Sequence, residues 1–350
     1  MHALNLYGIE DLRYEPLTMP VLEASDDVII RVQIAGICGS DLSRYRKLGP
    51  YVKGMTWGHE FAGIVEAVGK SVTHLAPGDP VAACPTIACG QCLSCQKGIP
   101  SQCDNLSVIG ARQPGGFATF TKLPAQNVLP LPDSISMEQA ALVEPSAVAV
   151  HGLYLTSLQP GGSVAVLGCG NIGLLSIAWA KIFGAAAVYA IDIDSKKLEL
   201  ARQMGADYLI NPKETPAHEQ LLKLTDNQGV DVAIESAGSP VTSAQVFALP
   251  RKGGEVVFMG IPYGDVAVER FYFEKIVRNE LKVFGSWNAV SAPFPGREWS
   301  ATLQKMSTGE LDVRPMITHK LSLQEGPQAF SDIITQKEFY GKVLLCPNKF

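Results

Sequence analysis

Four cysteines lie close together in the chain, with the spacing C-x2-C-x2-C-x7-C. They are Cys89, Cys92, Cys95 and Cys103. Four thiolates satisfy a tetrahedral zinc ion, and such short spacings let a single loop wrap around it. An iron–sulfur cluster is the alternative, because ferredoxins use similar spacings. Four thiolates leave no position open for a substrate, so the pattern predicts a structural metal site.

A second group of metal-binding residue types is spread over the first 145 residues. His59 stands in the run Gly58-His59-Glu60, with Cys38 upstream and Glu144 downstream. A lone histidine is more often a core residue than a ligand. Together, however, a thiolate, an imidazole and a carboxylate can hold zinc and keep one position for water or substrate. The group therefore indicates a second, catalytic metal site.

The third pattern is a G-x-G-x-x-G run between a predicted strand and a predicted helix. It is Gly168-Cys169-Gly170-Asn171-Ile172-Gly173, and Asp192 follows the last glycine by 19 residues. This context is that of a dinucleotide-binding turn, whose backbone N–H groups hold the pyrophosphate. Asp192 is expected to accept hydrogen bonds from the ribose hydroxyls, with Lys197 close by. The pattern predicts an NAD site.

The elements that must position these residues change in character near residue 150. Before it, short apolar runs such as 27–38 and 61–69 alternate with glycine and proline, which is typical of a β-rich barrel or sandwich. After it, short apolar strands alternate with helical patterns, beginning with a strand over 163–167 and a helix over 172–183. This alternation predicts an α/β domain with a parallel sheet covered on both faces. Ser195 is the expected cap of the next helix.

The composition excludes several classes of protein. The chain has 350 residues, 47% of them apolar and 18% charged, and a formal net charge of −5. No apolar run reaches the roughly 20 residues needed to cross a bilayer, and no secretory signal is recognised. The negative net charge does not indicate a basic surface of the kind that binds nucleic acid. We expect a cytoplasmic protein of one large or two ordinary domains, without membrane or nucleic-acid partners.

Together these patterns make the chain similar to the zinc-dependent medium-chain dehydrogenase/reductase family. The run 58–72 matches the family signature G-H-E-x2-G-x5-G-x2-V, and the resemblance covers essentially the whole chain. It implies a GroES-like catalytic domain over 1–148, to which 289–350 returns. It also implies a Rossmann domain with a doubly wound parallel sheet over 149–288, two zinc ions and NAD per chain, and a homodimer or homotetramer.

The resemblance also assigns roles to individual residues. It implies three ligands for a catalytic zinc ion, which are Cys38, His59 and Glu144. Glu60 is an alternative or additional ligand. Ser40 would hydrogen-bond the substrate oxygen and begin a proton relay. Ser43 stands where many members carry a relay histidine, and a hydroxyl passes a proton but does not store one near neutral pH.

Within the family, the resemblance is to the polyol branch. It is carried by the runs 37–42, 108–118, 143–148 and above all 285–299. It implies oxidation of a sugar-alcohol phosphate, with galactitol 1-phosphate as the leading candidate. A free polyol or threonine is the alternative substrate.

Several basic residues of the chain have two interpretations. Solvated surface charge is the simplest interpretation of the basic residues, and pairing with a substrate phosphate is the other. The residues concerned are Arg44, Arg46, Lys47, Lys53, Arg112 and Arg297. Outside the class, the alternatives are a non-catalytic nucleotide sensor and a zinc-ribbon nucleic-acid binder. The complete ligand set disfavours the first, and the acidic balance disfavours the second.

Overall fold

The computed structural model describes residues 1–348, which form two compact units. The first unit consists of Met1–Glu144, Ala289–Gly309 and the residues from Ile317 onward, and the second of Pro145–Asn288 and Glu310–Met316. The division falls after Glu144 rather than after residue 148, because the helix Val143–Tyr154 belongs with the second unit from its third residue.

Short strands dominate the first unit and alternate with helices in the second. In chain order the strands are β1 (His2–Gly8), β2 (Asp11–Pro16), β3 (Asp27–Gly36), β4 (Met55–Thr56), β5 (Glu60–Val68), β6 (Pro80–Ala83), β7 (Thr86–Ile87), β8 (Ser107–Val108), β9 (Phe120–Pro124), β10 (Val128–Pro130), β11 (Ser163–Leu167), β12 (Ala187–Ile191), β13 (Tyr208–Ile210), β14 (Val230–Glu235), β15 (Pro250–Phe258), β16 (Lys282–Gly285), β17 (Ile317–Ser322) and β18 (Lys342–Cys346).

The α-helices are short in the first 140 residues and longer after them. In chain order they are α1 (Gly39–Ser43), α2 (Leu93–Gln96), α3 (Met137–Ala140), α4 (Val143–Tyr154), α5 (Asn171–Ile182), α6 (Ser195–Gln203), α7 (Ala217–Leu224), α8 (Pro240–Gln245), α9 (Arg270–Arg278), α10 (Arg297–Ser307) and α11 (Gly326–Ile334). A π-helical turn over Arg44–Leu48 continues α1. Within residues 1–348, none of the helices combines the length and the apolar character needed to cross a membrane.

The first unit is organised around β3, as its apolar sequence predicts. The main sheet has the order β10-β6-β5-β3-β18-β17, and β9 also pairs with β3. Alternate side chains of β3, Val28, Ile30 and Val32, are fully buried in the core of this unit. Opposite Val32, Gly63 leaves no room for a side chain, since a Cβ there would lie 2.3 Å from the backbone oxygen of Arg31. The predicted β-rich architecture of this part of the chain is confirmed.

The predicted closing strand returns to the first unit. β18 pairs antiparallel with β3, placing Leu344 opposite Gly36 and Leu345 opposite Ala35, and it pairs parallel with β17. It therefore lies between an early and a late strand of the same sheet. Residues more than 300 positions apart in the chain become neighbours in this way.

The second unit is a parallel sheet with helices between its strands. The order is β13-β12-β11-β14-β15-β16, and all neighbouring pairs are parallel. It follows the doubly wound arrangement in which β11 and β14 flank the topological switch point. The predicted strand 163–167 is confirmed, and α5 begins and ends one residue before the predicted 172–183. The α/β prediction for this part is confirmed.

The predicted cap of α6 was wrong by one residue. Ser195 is the first helical residue, and Asp194 is the N-cap, whose carboxylate accepts a hydrogen bond from the backbone N–H of Lys196 at 2.8 Å. Both residue types are good caps, so the local sequence did not separate them. The longer reach of the aspartate carboxylate to the second helical N–H favours Asp194.

Candidate metal centres and cofactor site

The four clustered cysteines come together as predicted. Their sulfur atoms all lie within 4.8 Å of one another. Backbone N–H groups point at two of them: that of Cys92 lies 3.4 Å from Cys89 Sγ, and that of Cys89 lies 3.2 Å from Cys103 Sγ. The loop 89–103 thus supplies both the thiols and donors that favour the thiolate form.

The thiols of this group differ in how readily they ionise. Backbone hydrogen bonds, first from Gln91 and then from Cys92, lower the pKa of Cys89 to about 6. Burial and a hydrogen bond to Cys92 instead raise the pKa of Cys95 to about 12. Without a cation, four adjacent thiols do not all ionise, because the negative charges repel one another. A zinc ion removes this conflict and fits the donor set.

The second predicted metal group forms around the β3–β5 pair. One ligand atom each from Cys38, His59 and Glu60 lie within 4.8 Å of one another. The register explains the meeting, because Glu60 of β5 stands opposite Gly36, two residues before Cys38. A thiol, an imidazole and a carboxylate at this separation fit a catalytic zinc ion.

Glu144 lies outside this group of three, which differs from the ligand set that the family resemblance implies. It is the second residue of α4, whereas Glu60 directly follows His59 in the chain. Burial raises the pKa of Glu144 to about 7, the positive charge of His59 opposes this rise, and the negative charge of Glu60 adds to it. Glu144 therefore adjoins the group, and Glu60 is the carboxylate within it. Which of the two binds the metal stays a prediction.

Asp41 was missed by the sequence analysis and lies beside the histidine. One of its carboxylate oxygens lies 3.5 Å from His59 Nδ1, and the other accepts a hydrogen bond from the backbone N–H of Cys38 at 2.9 Å. Burial disfavours a charge on His59, but the negative charges of Asp41 and Cys38 outweigh it and raise the pKa of the imidazole. With Nδ1 directed at Asp41, Nε2 is left for a metal. The signal was the aspartate in Cys38-Gly39-Ser40-Asp41.

A second residue that the sequence analysis missed is Lys342, the first residue of β18. Lys342 and Glu60 form an ion pair in which both side chains are buried, with 0% and 1% of their surface exposed. The Lys342 ammonium also donates to the backbone oxygen of Ile37 at 3.1 Å. Gly36 provides the space, because a Cβ there would lie 2.5 Å from Glu60 Oε2. A buried charge requires such partners, and the lysine supplies the counter-charge for the carboxylate of the metal group.

The two predicted relay serines lie on α1. Both residues are exposed, and Ser43 Oγ donates to the backbone oxygen of Gly39 at 3.0 Å. That bond holds the Ser43 hydroxyl against the first turn of the helix. Ser40 directly follows Gly39, two residues after Cys38, which keeps it near the metal group in the chain. The relay roles of both serines stay predictions.

The glycine run of the second unit forms a tight turn between β11 and α5. Gly168 has a positive φ of 91°, and a Cβ there would lie 2.7 Å from Ala237 Cβ. At Gly173, a Cβ would lie 1.8 Å from the backbone oxygen of Gly168. Both positions therefore need glycine. The turn leads into the first N–H groups of α5, with Gly170 as the N-cap and Asn171 and Ile172 in the first turn, which is suitable for a pyrophosphate.

Asp192 lies beside this turn, directly after β12. Its carboxylate accepts hydrogen bonds from the backbone N–H groups of Cys169 at 2.8 Å and Asp194 at 2.9 Å. Burial raises the pKa of the Cys169 thiol, the charge of Asp192 adds to the rise, and the charge of Lys197 opposes it. Both predicted side chains are thus close enough to act on the glycine turn. Asp192 helps to fix the turn as well as standing where a ribose is expected.

Ser236 also holds the turn and was not predicted. Its hydroxyl lies 2.8 Å from the backbone oxygen of Gly168 and 3.0 Å from that of Leu167. The preceding Glu235 is buried, and its carboxylate accepts hydrogen bonds from Ala237 and Gly238. Small residues after the apolar strand 231–235 were the available signal.

Comparison with known proteins gives matches over the whole chain. The model of the zinc-binding dehydrogenase family matches residues 171–308, and that of the alcohol dehydrogenase GroES-like domain matches residues 24–133. The chain is 36% identical over 336 residues to galactitol 1-phosphate 5-dehydrogenase of Escherichia coli K12, covering 96% of this chain and 97% of that protein. It is 34% identical over 355 residues to sorbitol dehydrogenase of Bacillus subtilis, covering 100% and 98%.

A solved structure gives the same result for the fold. The crystal structure of galactitol-1-phosphate dehydrogenase from Escherichia coli superposes with a TM-score of 0.94 at 35% identity, covering 99% of this chain and 100% of that one. The predicted combination of a GroES-like domain and a Rossmann domain is confirmed.

Proposed function

Since the chain belongs to the zinc-binding dehydrogenase family with a GroES-like domain, we propose that it oxidises a secondary hydroxyl of a sugar-alcohol phosphate with NAD. The leading candidate for the substrate is galactitol 1-phosphate. The observation that carries this proposal is the similarity over 96% of the chain to an enzyme named for that substrate. Whole-length similarity to a sorbitol dehydrogenase favours a free polyol as the second candidate, and threonine remains a further alternative.

The residues of the first unit would act on the substrate hydroxyl. Zinc, when bound, lowers the pKa of a hydroxyl that binds to it. Cys38, His59 and a carboxylate would hold the ion, and Asp41 would keep the imidazole in the binding tautomer. Ser40 Oγ would accept a hydrogen bond from the substrate hydroxyl and, as it takes that proton, release its own proton to water, because Ser40 is exposed.

The residues of the second unit would hold the cofactor. The N–H groups at the start of α5 would bind the pyrophosphate, and Asp192 would accept hydrogen bonds from the ribose. Ser236 would keep the turn in shape through the oxygens of Leu167 and Gly168. The nicotinamide carries the hydride chemistry itself, while the protein supplies orientation.

We expect a clear substrate preference in a kinetic panel. With NAD, kcat/KM for galactitol 1-phosphate should exceed that for galactitol and sorbitol by about ten- to a hundredfold, since hydrogen bonds to charged groups contribute about 1.5–3 kcal/mol each. Initial rates of NADH formation measure it, with threonine as a further arm. Equal efficiency for the phosphorylated and free polyols would make the chain a polyol dehydrogenase.

We expect NAD to be preferred over NADP. Asp192 would lie beside the ribose, and its negative charge would repel a 2′-phosphate there. Asp192→Ala should raise the ratio of kcat/KM with NADP to that with NAD by about tenfold. The ratio is the relevant quantity, because loss of the bond to Cys169 weakens the turn for both cofactors. A native enzyme that already favours NADP would contradict the assignment.

The chain is further proposed to form a cytoplasmic homodimer or homotetramer. Support for self-association comes from the second unit, where the edge strand β16 and the helix α9 expose Val283, Phe273 and Val277, each to at least 45%. Unpaired edge strands with apolar neighbours pair readily. The clustered thiols, suited to a metal, support a reducing compartment. A monomer in analytical ultracentrifugation would exclude both the dimer and the tetramer.

A further inference from the structure

Two arginines from separate segments lie against one tyrosine ring. Arg44 Cζ is 3.5 Å and Arg112 Cζ is 4.6 Å from the centroid of the Tyr51 ring. Arg44 is on the π-helical turn after α1, and Arg112 is in the turn that follows β8. The two guanidinium carbons are therefore no more than about 8 Å apart. Two positive charges are held at short range on an exposed surface.

Neither guanidinium has a carboxylate partner. Among the described residues, no aspartate or glutamate oxygen lies within 4 Å of either group, and the side chain of Arg44 donates only to the backbone oxygen of Gly49, at 3.3 Å. Arg13 shows the contrast: it stacks on Tyr7 at 4.3 Å and donates to both oxygens of Asp11. The Tyr51 pair thus lacks the counter-ion that this other arginine possesses.

An anion with several oxygens fits this arrangement. Stacking uses the flat face of a guanidinium and leaves its N–H groups free at the edge. A phosphate that accepts a two-point contact lies about 4 Å from a guanidinium carbon, so the upper limit of about 8 Å between the two carbons is compatible with one phosphate that contacts both groups. A single carboxylate offers only two oxygens, whereas a terminal phosphate offers three.

Both arginines are tied to the catalytic metal group by short segments. Arg44 comes six residues after Cys38, which is about 9 Å along a helix. Arg112 comes two residues after Gly110, which packs on the backbone beside His59, since a Cβ on Gly110 would lie 2.8 Å from the His59 nitrogen. Four carbon–carbon bonds separate the oxidised carbon from the phosphate-bearing carbon in a 1-phosphate oxidised at C5, about 5 Å when extended. Each arginine therefore belongs to a short segment with one end at the metal group, and a substrate of this length would extend from the metal toward the pair.

We propose that Arg44 and Arg112, held on Tyr51, bind the phosphate of the substrate and determine the preference for a sugar-alcohol phosphate. This inference rests on the proposed function and names the residues that carry its specificity. Arg46, which is exposed on the same turn, adds positive charge without a place on the ring.

The test compares two substrates across single variants. Arg44→Ala and Arg112→Ala should each lower kcat/KM for galactitol 1-phosphate ten- to a hundredfold and leave that for galactitol within twofold. Arg112→Lys should recover only part of the loss, because an ammonium cannot make the two-point contact. Inorganic phosphate should inhibit the native enzyme in competition with galactitol 1-phosphate. Its inhibition constant should rise by a similar factor in Arg44→Ala and Arg112→Ala. Arg13→Ala is the matched control, and it should leave kcat/KM for both substrates unchanged.

The outcomes separate this inference from the proposed function. A native enzyme that prefers the phosphorylated substrate, with Arg44→Ala and Arg112→Ala unaffected, would overturn the arginine site and leave the proposed function standing. An equal loss for both substrates would show a structural role and also overturn it. A native enzyme without any preference for the phosphate would overturn both.

Discussion

Replacing Cys38 by serine or His59 by alanine is expected to abolish turnover and leave the fold intact. Both residues belong to the group that fits a catalytic zinc ion, and neither is part of the core cluster of the first unit. Metal ions supply several kcal/mol of charge stabilisation in such reactions. A loss of about 4 kcal/mol corresponds to about a thousandfold in rate.

Three measurements on each variant test this expectation. The rate of NADH formation should fall by at least about a thousandfold, one of two zinc ions should be lost on metal analysis, and the free energy of unfolding should change by less than about 2 kcal/mol. His74→Ala is the control, because His74 is exposed and stands outside both metal groups. Retention of both zinc ions with full activity would show that the group has no catalytic role.

Replacing Cys89 by serine is expected to lower the stability of the fold first, in contrast to the variants of Cys38 and His59, which should lose turnover first. A structural zinc ion contributes its binding free energy directly to folding, and the four thiols repel one another once they are ionised. For a chain of 350 residues, a loss of about 3 kcal/mol lowers the Tm by roughly 4 °C. Thermal unfolding and zinc content measure the effect.

A neighbouring position provides the control for this variant. Gln91→Ala removes an exposed side chain from the same loop but keeps the backbone N–H that acts on Cys89. It should leave both the Tm and the zinc content unchanged. One zinc ion per native chain, or iron at the four cysteines, would contradict the assignment of two zinc sites.

The local patterns of the sequence predicted much of this architecture. The four cysteines and the glycine run are each contained in a short segment, so the local sequence predicts a metal site for the first and a dinucleotide-binding turn for the second. Strands such as 163–167 were placed correctly because a buried parallel strand is a continuous apolar run. Ser195 and Asp194 were confused because adjacent residues of equal capping strength differ only in three dimensions.

Contacts between distant segments could not be predicted from the sequence. Lys342 and Glu60 are separated by 282 positions, and only the entry of β18 beside β3 brings them together. From the sequence alone, a lysine at the start of an apolar strand is expected to be exposed to solvent. In the same way, the position of Glu60 beside Cys38 follows from the pairing of β3 with β5, whereas the family resemblance implied Glu144 as the ligand with Glu60 as an alternative or additional one.

The pairing of Lys342 with Glu60 also sets an order of events during protein synthesis. The ribosome makes Glu60 282 residues before Lys342, an interval of roughly 15–60 s at the usual 5–20 residues per second. Through that interval the nascent first unit lacks β18, and the carboxylate beside the metal group lacks its counter-charge. The parallel sheet of the second unit is complete in the chain by Gly285 and is free to form earlier. A premature stop codon between Gly285 and Lys342 would therefore release a chain with a Rossmann sheet and an unfinished metal centre.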